Sequence, residues 1–117
     1  MDILRDHIAD DACRRFQGAV ELVGRRWSSG ILLALAQGAT RFSEVLHRVQ
    51  GLSDRLLAQR LKELEAAELV TREVIPTVPV QVRYALTERG DDLMRSLQPL
   101  AEWGQRWIHE PRVRAAS

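Results

Sequence analysis

The segment GLSDRLLAQRLKELEAA, residues 51–67, carries the clearest structural pattern in the chain. Its leucines recur three and four residues apart, as on the buried face of an amphipathic helix, at Leu57, Leu61 and Leu64. Ser53 stands just before this pattern and is a favoured N-cap residue, because its hydroxyl oxygen accepts a hydrogen bond from the first helical turn. The segment therefore predicts a helix over about residues 53–67.

A shorter apolar pattern lies immediately upstream of this helix. Val45, Leu46 and Val49 indicate a brief helix, with Ser43 as its predicted N-cap and Gly51 at its end. Two helices of this size that are joined by a glycine-containing turn are typical of the helix-turn-helix motif.

The periodicity changes downstream of the motif. Val70, Arg72 and Val74 alternate apolar and polar in steps of two, residues 82–86 alternate again, and Pro76 and Pro79 lie between the two runs. Alternation on both sides of a proline-bearing loop predicts a β-hairpin, because proline is tolerated only where the ladder needs no N–H donor. We therefore expect a hairpin, or wing, over about residues 70–87.

Helical patterns fill most of the remaining chain. One helix is predicted from about residue 12 to Gly24, and a second, apolar on most sides, from about Trp27 to Gly38. Thr87 is the predicted N-cap of a last, long helix. The fold class is therefore mainly α with a small β-hairpin (α+β), and the order of elements is that of a winged helix-turn-helix domain.

Length and composition limit the class of protein. A chain of 117 residues supports one domain, and its single cysteine rules out an intrachain disulfide. The longest apolar run, residues 31–36, is too short to cross a membrane, and no signal peptide is recognisable. We expect a cytoplasmic protein with no membrane partner. The predicted units are an acidic arm, the winged domain with dimerisation helices at both its ends, and a tail, over residues 1–11, 12–109 and 110–117.

Charge is unevenly distributed along the chain, although the net charge is only +1. Residues 1–11 carry one Arg against four Asp, a net of −3, whereas residues 12–87 carry eleven Arg/Lys against seven acidic residues, a net of +4. Residues 88–117 carry five of each and cancel. The basic excess coincides with the helix-turn-helix and wing, where a nucleic-acid-binding surface would lie, although a solvated surface explains it equally well.

The predicted helix over residues 53–67 has a polar face opposite its leucines. At about 100° per residue, the face collects Arg55, Gln59, Lys62 and Ala66, and its margins are the small Ala58 and Glu63. Arg55 and Gln59 belong to the N-terminal half, which enters a DNA major groove, where Arg pairs with guanine and Gln with adenine. Lys62 lies a turn further on and suits a phosphate contact. The alternative is a merely solvated helix face, which the adjoining turn and hairpin make less attractive.

Pieces of a known pattern occur in order along the chain. They are Cys13, Gly24-Arg25-Arg26-Trp27, Ile31-Leu32, Arg41-Phe42-Ser43-Glu44, Gly51-Leu52-Ser53, Gln59-Arg60-Leu61-Lys62-Glu63-Leu64-Glu65, Leu69-Val70 with Arg72, Pro76-x-x-Pro79-x-x-Val82-x-Tyr84-x-Leu86-Thr87-x-x-Gly90, and Trp103. Together they resemble the HxlR-type winged helix-turn-helix regulators of bacteria. The wing pattern is the most specific of these pieces.

The resemblance implies a homodimeric, cytoplasmic transcription factor that binds double-stranded DNA at an inverted-repeat operator. Its first and last helices would pair across a two-fold axis, and apolar seams in both predicted helices are consistent with that. The alternative is that both seams pack within one protomer. The predicted DNA-binding residues are Arg41, Ser43, Ser53, Arg55, Ala58, Gln59, Lys62 and Arg83. The predicted dimer interface contains Phe16, Val20, Leu93, Leu97, Leu100, Trp103 and Trp107.

The sequence departs from the family pattern in the wing and beside Cys13. Gln81 stands where the family commonly has a basic residue, and Arg83 where it has an acid, so the wing would make fewer phosphate contacts or Arg83 would replace one. Arg14 follows Cys13, where the family often has proline. In some relatives the equivalent cysteine senses oxidants or electrophiles, and Arg14, Arg15 and the helix start would favour a reactive thiolate. Cys13 is therefore a candidate redox sensor, and the alternative is a small residue buried at a helix entrance.

Other functional classes have less support. A winged helix can serve as a protein–protein adaptor, which is the alternative from another class. The three histidines lack metal-binding spacing, and no nucleophile–base order or glycine-rich phosphate loop predicts catalysis. We expect no enzyme activity, no metal and no cofactor, and the sequence leaves an unidentified small-molecule effector open.

Overall fold

The computed structural model describes residues 10–109, which form five helices and one two-stranded sheet. In chain order the elements are α1 (Asp10–Gly24), α2 (Ser28–Ala36), α3 (Phe42–Arg48), α4 (Asp54–Ala66), β1 (Val70–Ile75), β2 (Gln81–Leu86) and α5 (Glu88–Trp107). This order confirms the predicted fold class. Asp10 and Asp11 of the predicted arm belong to the first turn of α1, whereas the rest of the arm and the predicted tail lie outside the described residues.

Helix α2 forms the centre of the hydrophobic core. Its Ile31 and Leu32 are fully buried, and the helix packs against α1, α3, α5 and β2. The core also contains the predicted inner face of α4, Leu57, Leu61 and Leu64. Each fully buried side chain of this size contributes about 1.5–3 kcal/mol, so the helix-turn-helix is held mainly by this core.

The predicted hairpin forms, although burial alternates only in β2, and in β1 the residues from Thr71 to Val74 are all exposed. Strands β1 and β2 pair antiparallel, with Val70 opposite Leu86 at the base. In β2, Tyr84 is half-buried and the preceding Arg83 is exposed. The N–H of Tyr84 donates to the carbonyl of Thr40 at 2.7 Å, so the link between α2 and α3 is attached to the wing.

Helix α5 begins directly against the base of the wing. The hydroxyl oxygen of Thr87 accepts a hydrogen bond from Gly90 N–H at 2.9 Å, which confirms Thr87 as the N-cap, and it donates to the Glu68 carbonyl at 2.6 Å. Gly90 is buried, and a Cβ at this position would lie only 2.2 Å from the carbonyl oxygen of Leu69. The close approach therefore requires glycine here.

The start of α3 differs from the prediction. Ser43 is not its N-cap but its second residue, and Arg41 occupies the N-cap position. The reason is Glu44, whose Oε1 accepts hydrogen bonds from the backbone N–H groups of Thr40 at 2.9 Å and Arg41 at 3.0 Å. The carboxylate thus satisfies donors ahead of the helix, and the helix begins earlier than a serine cap would allow.

The start of α2 also differs, by one residue. Trp27 has a left-handed backbone with φ 78°, and the helix begins at Ser28. Bulky residues rarely adopt this conformation, so surrounding contacts must hold it. The indole packs on the helix-turn-helix turn, since a Cβ at Gly51 would lie 3.2 Å from Cη2 of Trp27. The guanidinium of Arg26 lies over the same ring, 4.9 Å from its centroid.

Candidate nucleic-acid interface

Helix α4 presents a polar face to solvent because its apolar face is fixed in the core. The hydroxyl oxygen of Ser53 accepts a hydrogen bond from the N–H of Leu56 at 3.1 Å, so the predicted N-cap is confirmed. The core leucines orient the helix, and the side chains opposite them are exposed. These exposed residues are Arg55, Ala58, Gln59 and Lys62.

This face has the chemistry to contact DNA. Within residues 10–109, no ion pair involves Arg55 or Lys62, so both charges are available to a partner. An arginine fork matches the two acceptors of guanine and a glutamine amide matches adenine, each worth about 1–3 kcal/mol of discrimination between bases. The methyl side chain of Ala58 leaves room for a close approach.

The other predicted DNA-binding residues lie on elements that adjoin α4 or the wing. Arg41, Ser43 and Arg83 are all exposed. A 2.7 Å hydrogen bond joins Thr40 in the link between α2 and α3 to Tyr84 in the wing. Arg41 follows Thr40 in the sequence, and Arg83 precedes Tyr84. Glu73 lies directly opposite Arg83 in the hairpin register, so an acidic side chain shares that face of the wing. The positive charge of Arg83 is therefore partly offset.

The tip of the wing is apolar and uncharged. Val78 and Val80 are exposed, and between the strands the loop contains two prolines and one threonine. Gln81, where the family commonly has a basic residue, is half-buried at the start of β2. The nearest positive charge on this strand is thus that of Arg83, two residues further along.

Sequence reasoning missed a set of polar contacts on one flank of α4. Arg25, in the turn between α1 and α2, binds the carboxylate of Glu63 through both of its oxygens, with Nε–Oε1 2.9 Å and Nη2–Oε2 3.1 Å. Arg60 also contacts Glu63, at 3.3 Å, and its Nε donates to the carbonyl of Arg26 at 3.2 Å. The only signal in the sequence was the family match of the Gly24–Trp27 segment, which gave no partner.

Hydrogen bonds at the start of α3 change the pKa of Glu44. The backbone N–H groups of Thr40 and then Arg41 lower the pKa of Glu44 from its ordinary value of 4.5. The Thr40 hydroxyl and the Arg41 charge act in the same direction, whereas desolvation opposes them. Glu44 therefore stays ionised at neutral pH and keeps α3 capped.

The two terminal helices expose apolar side chains. Helix α1 has no buried residue, and its Phe16 and Val20 are 57% and 50% exposed. On α5, Leu93 and Leu97 are half-buried, and Leu93 packs against the core of its own protomer. The other predicted interface residues of α5 are exposed, namely Leu100, Trp103 and Trp107.

Cys13 is exposed on α1 in the single protomer. Steps of about 100° per residue place it on the same helix face as Phe16 and Val20. Of the two neighbouring arginines, Arg15 pairs with Asp11 at 2.6 Å, so part of the expected positive environment is neutralised.

In residues 10–109, no His, Cys, Asp and Glu side chains come together in threes or more where they could hold a metal ion. None of the helices described is both long and apolar enough to cross a membrane.

Fold and surface together define a winged helix-turn-helix protein of the DNA-binding class. Residues 22–112 match the model of the HxlR-like helix-turn-helix family, and the chain belongs to this family. It is therefore a transcriptional regulator of the helix-turn-helix type and not an enzyme, which confirms both predictions. Family membership favours the regulator over the adaptor alternative.

Individual relatives agree with this assignment. The chain is 41% identical to the HTH-type transcriptional regulator YvaP of Bacillus subtilis (strain 168) over 98 residues, which cover 84% of this chain and 91% of YvaP. The solved structure of diamide-treated YodB from B. subtilis is similar at a TM-score of 0.71 and 38% identity, covering 84% of this chain and 97% of YodB. The redox regulator HypR in its oxidised form is similar at a TM-score of 0.75 and 30% identity, covering 82% and 99% respectively.

Proposed function

We propose that the protein is a cytoplasmic, homodimeric regulator that binds an inverted-repeat operator, with α4 in the major groove and the wing beside it on the phosphate backbone. The observation that carries this proposal is the exposed face of α4, where Gln59 lies beside Arg55 and Lys62 and neither charge has an ion-pair partner among the described residues. A helix fixed in the core by its opposite face can present such side chains without first becoming ordered.

Each group on this surface has a distinct role in the proposal. Arg55 and Gln59 read base edges, and Ala58 lets the helix approach them closely. Lys62 contacts a phosphate, since it lies further from the end of the helix that enters the groove. The remaining contacts to phosphates come from flanking elements, through Arg41, Ser43, Ser53 and Arg83.

The terminal helices support the dimer. Exposed tryptophans on α5 and an α1 without buried residues form apolar surface that a second copy would cover. In a dimer paired through these helices, the two recognition helices would lie about 34 Å apart, one turn of DNA, so that both can enter the major groove. An operator of two inverted half-sites follows from that symmetry.

Selection of bound DNA from a random pool tests the proposal, and the expected product is an inverted repeat. Arg55→Ala should relax the base preference at one position of each half-site. Lys62→Ala should weaken binding to all sequences equally and reduce the salt slope, which is the slope of log affinity against log salt concentration, by about one per half-site. Arg14→Ala is a matched control, because Arg14 carries the same charge on exposed α1 and has no ion-pair partner among the described residues. Wild-type affinity and salt slope in both α4 variants would refute the assignment.

A second candidate function is regulation through Cys13. The thiol is exposed on the face of α1 that we assign to the dimer, and solved structures of relatives include diamide-treated and quinone-bound YodB. The thiolate would add to a quinone, or two thiols from two protomers would lose two electrons and two protons to an oxidant such as diamide and form a disulfide. Either product would alter the dimer face and the DNA-competent population.

Operator affinity of reduced and diamide-treated protein tests this second candidate. We expect the affinity of the wild type to change on treatment and that of Cys13→Ser to stay constant. An unchanged affinity of the treated wild type, with the thiol shown to have reacted, would remove redox control from the proposal.

A further inference from the structure

Contacts on one flank of α4 join this helix to the turn that follows α1. We propose that Arg25, Glu63 and Arg60 form a latch that fixes the orientation of α1 relative to α4, and so determines which half-site spacing the dimer accepts. This inference rests on the proposed function, because it requires a dimer that pairs through α1 and reads DNA through α4.

The link from Arg25 to Glu63 is geometrically specific. Its two N–O distances of 2.9 Å and 3.1 Å place one guanidinium edge against both carboxylate oxygens. A bidentate pair of this kind restricts orientation as well as separation, unlike a single contact from a lysine. Arg25 and Glu63 are 38 positions apart, so the pair joins two elements that are distant in the sequence.

Arg60 adds a second contact between α4 and the turn. Its side chain is only 12% exposed, it contacts Glu63 at 3.3 Å, and its Nε donates to the carbonyl of Arg26 at 3.2 Å. The turn between α1 and α2 is therefore bound to α4 through a side chain of the turn and through its backbone. Both contacts come from one side of α4 and leave its DNA-facing residues free.

Helix α1 depends on this turn because its own packing is weak. None of its residues is buried, and it packs on α2 without a part in the core. The turn is also fixed at Trp27, whose left-handed backbone carries the indole onto Gly51 in the helix-turn-helix turn. The orientation of α1 is thus determined by the turn and by the elements that the turn contacts, which are α4 and the residues just before it.

A small tilt of α1 would be enough to change the spacing. Its 15 residues span about 22 Å. A tilt of about 10° at the turn would move its far end by about 4 Å, which is close to the 3.4 Å rise of one base pair. Without the latch, the dimer should therefore accept half-sites displaced by one base pair more readily.

Arg25 could instead contact a phosphate itself, since its side chain is 52% exposed. The two roles give different results. Loss of a phosphate contact lowers the salt slope by about one per site and weakens all operators equally. Loss of the latch leaves the salt slope unchanged and weakens the best-spaced operator most.

The experiment measures affinity of the full chain for a series of operators whose half-sites are moved together or apart by single base pairs. Arg25→Ala should weaken the best operator by up to about fivefold for each protomer, the effect of one exposed ion pair. It should also flatten the spacing profile, which is the dependence of affinity on the distance between the half-sites. Arg89→Ala is the matched control, because it breaks another exposed arginine–glutamate pair, with Glu68, that does not contact the turn. Arg25→Lys should restore part of the profile, and circular dichroism would confirm that each variant is folded.

A double-mutant cycle completes the test. If the latch is correct, Arg25→Ala should have no further effect on the spacing profile in a Glu63→Gln background, because both changes break the same contact. A wild-type profile for Arg25→Ala, additive effects in the cycle, or a reduced salt slope would each overturn the latch while the proposed function stands. If the wild type itself shows no salt-dependent binding to the operator, the proposed function fails and the latch fails with it.

Discussion

Replacing Gly90 by alanine should destabilise the domain, although alanine is the better helix former. The added Cβ would lie 2.2 Å from the carbonyl oxygen of Leu69 and 3.1 Å from its carbonyl carbon. These are backbone atoms, so no side-chain rotation relieves the overlap. The same oxygen accepts a hydrogen bond from Thr87 N–H at 3.0 Å, which resists any movement of the strand away from α5.

The expected magnitude follows from opposing effects. Helix propensity favours alanine by about 0.5–1 kcal/mol. Overpacking against a fixed backbone costs about 1–3 kcal/mol, and a stretched hydrogen bond at Leu69 adds about 0.5–1.5 kcal/mol. The net loss of about 1–3 kcal/mol corresponds to a fall in Tm of roughly 5–15 °C for a domain of this size.

Thermal unfolding followed by circular dichroism measures this loss. Gly18→Ala is the matched control, because Gly18 is also helical, has no atom within 4 Å of its added Cβ, and lies opposite the Phe16 face of α1. That variant should raise the stability slightly. If Gly90→Ala raised the Tm as Gly18→Ala does, the close contact between α5 and the base of the wing would be refuted.

Two further predictions concern the helix caps beside the DNA-facing surface. Glu44→Gln should reduce the pH dependence of stability, because the backbone N–H groups of Thr40 and Arg41 lower the pKa of Glu44 in the folded protein. The contribution of Glu44 to stability is complete above its ordinary pKa of 4.5 and is lost as the pH falls through the lowered pKa. Unfolding measured from about pH 3 to about pH 7 would detect this difference. An identical acid profile for the variant would contradict this. Ser53→Ala should cost about 0.5–2 kcal/mol of stability through loss of the cap, whereas Ser53→Asp should keep the cap and weaken DNA binding by repelling phosphates. Wild-type DNA affinity for Ser53→Asp would show that residue 53 does not face the DNA.

Local patterns predicted the parts of the fold in which one periodicity determines burial. The leucine spacing of α4 identified its buried face, and the alternation around Tyr84 identified the wing, because in both cases the core contacts only one side of the element. Ser53 was predictable as an N-cap for a similar reason, since its hydrogen bond is made three residues away. Local chemistry is sufficient wherever the partner is a near neighbour in sequence.

Contacts between distant residues were not predictable in this way. Ser43 has the better N-cap propensity, yet Glu44 determines the start of α3 because its carboxylate reaches back to two backbone donors. No sequence rule selects Glu63 as the partner of Arg25 among 16 acidic residues, since the pair depends on how α4 packs behind the turn. The left-handed Trp27 likewise follows from a tertiary contact, with Gly51, and not from its own preference.

The basic excess of residues 12–87 contains two kinds of charge, those that contact the protein itself and those that are exposed and can bind DNA. Arg25 and Arg60 bind Glu63 on α4, and Arg48 donates to backbone carbonyls at the end of α2, so these charges stabilise the fold. The exposed basic side chains proposed for phosphates are Arg41, Lys62 and Arg83. Three such contacts in each protomer, doubled by the two-fold axis, predict a slope of about −5 for log affinity against log salt, at −0.9 per phosphate. A slope about twice as steep would mean that the arginines assigned to the fold also reach DNA.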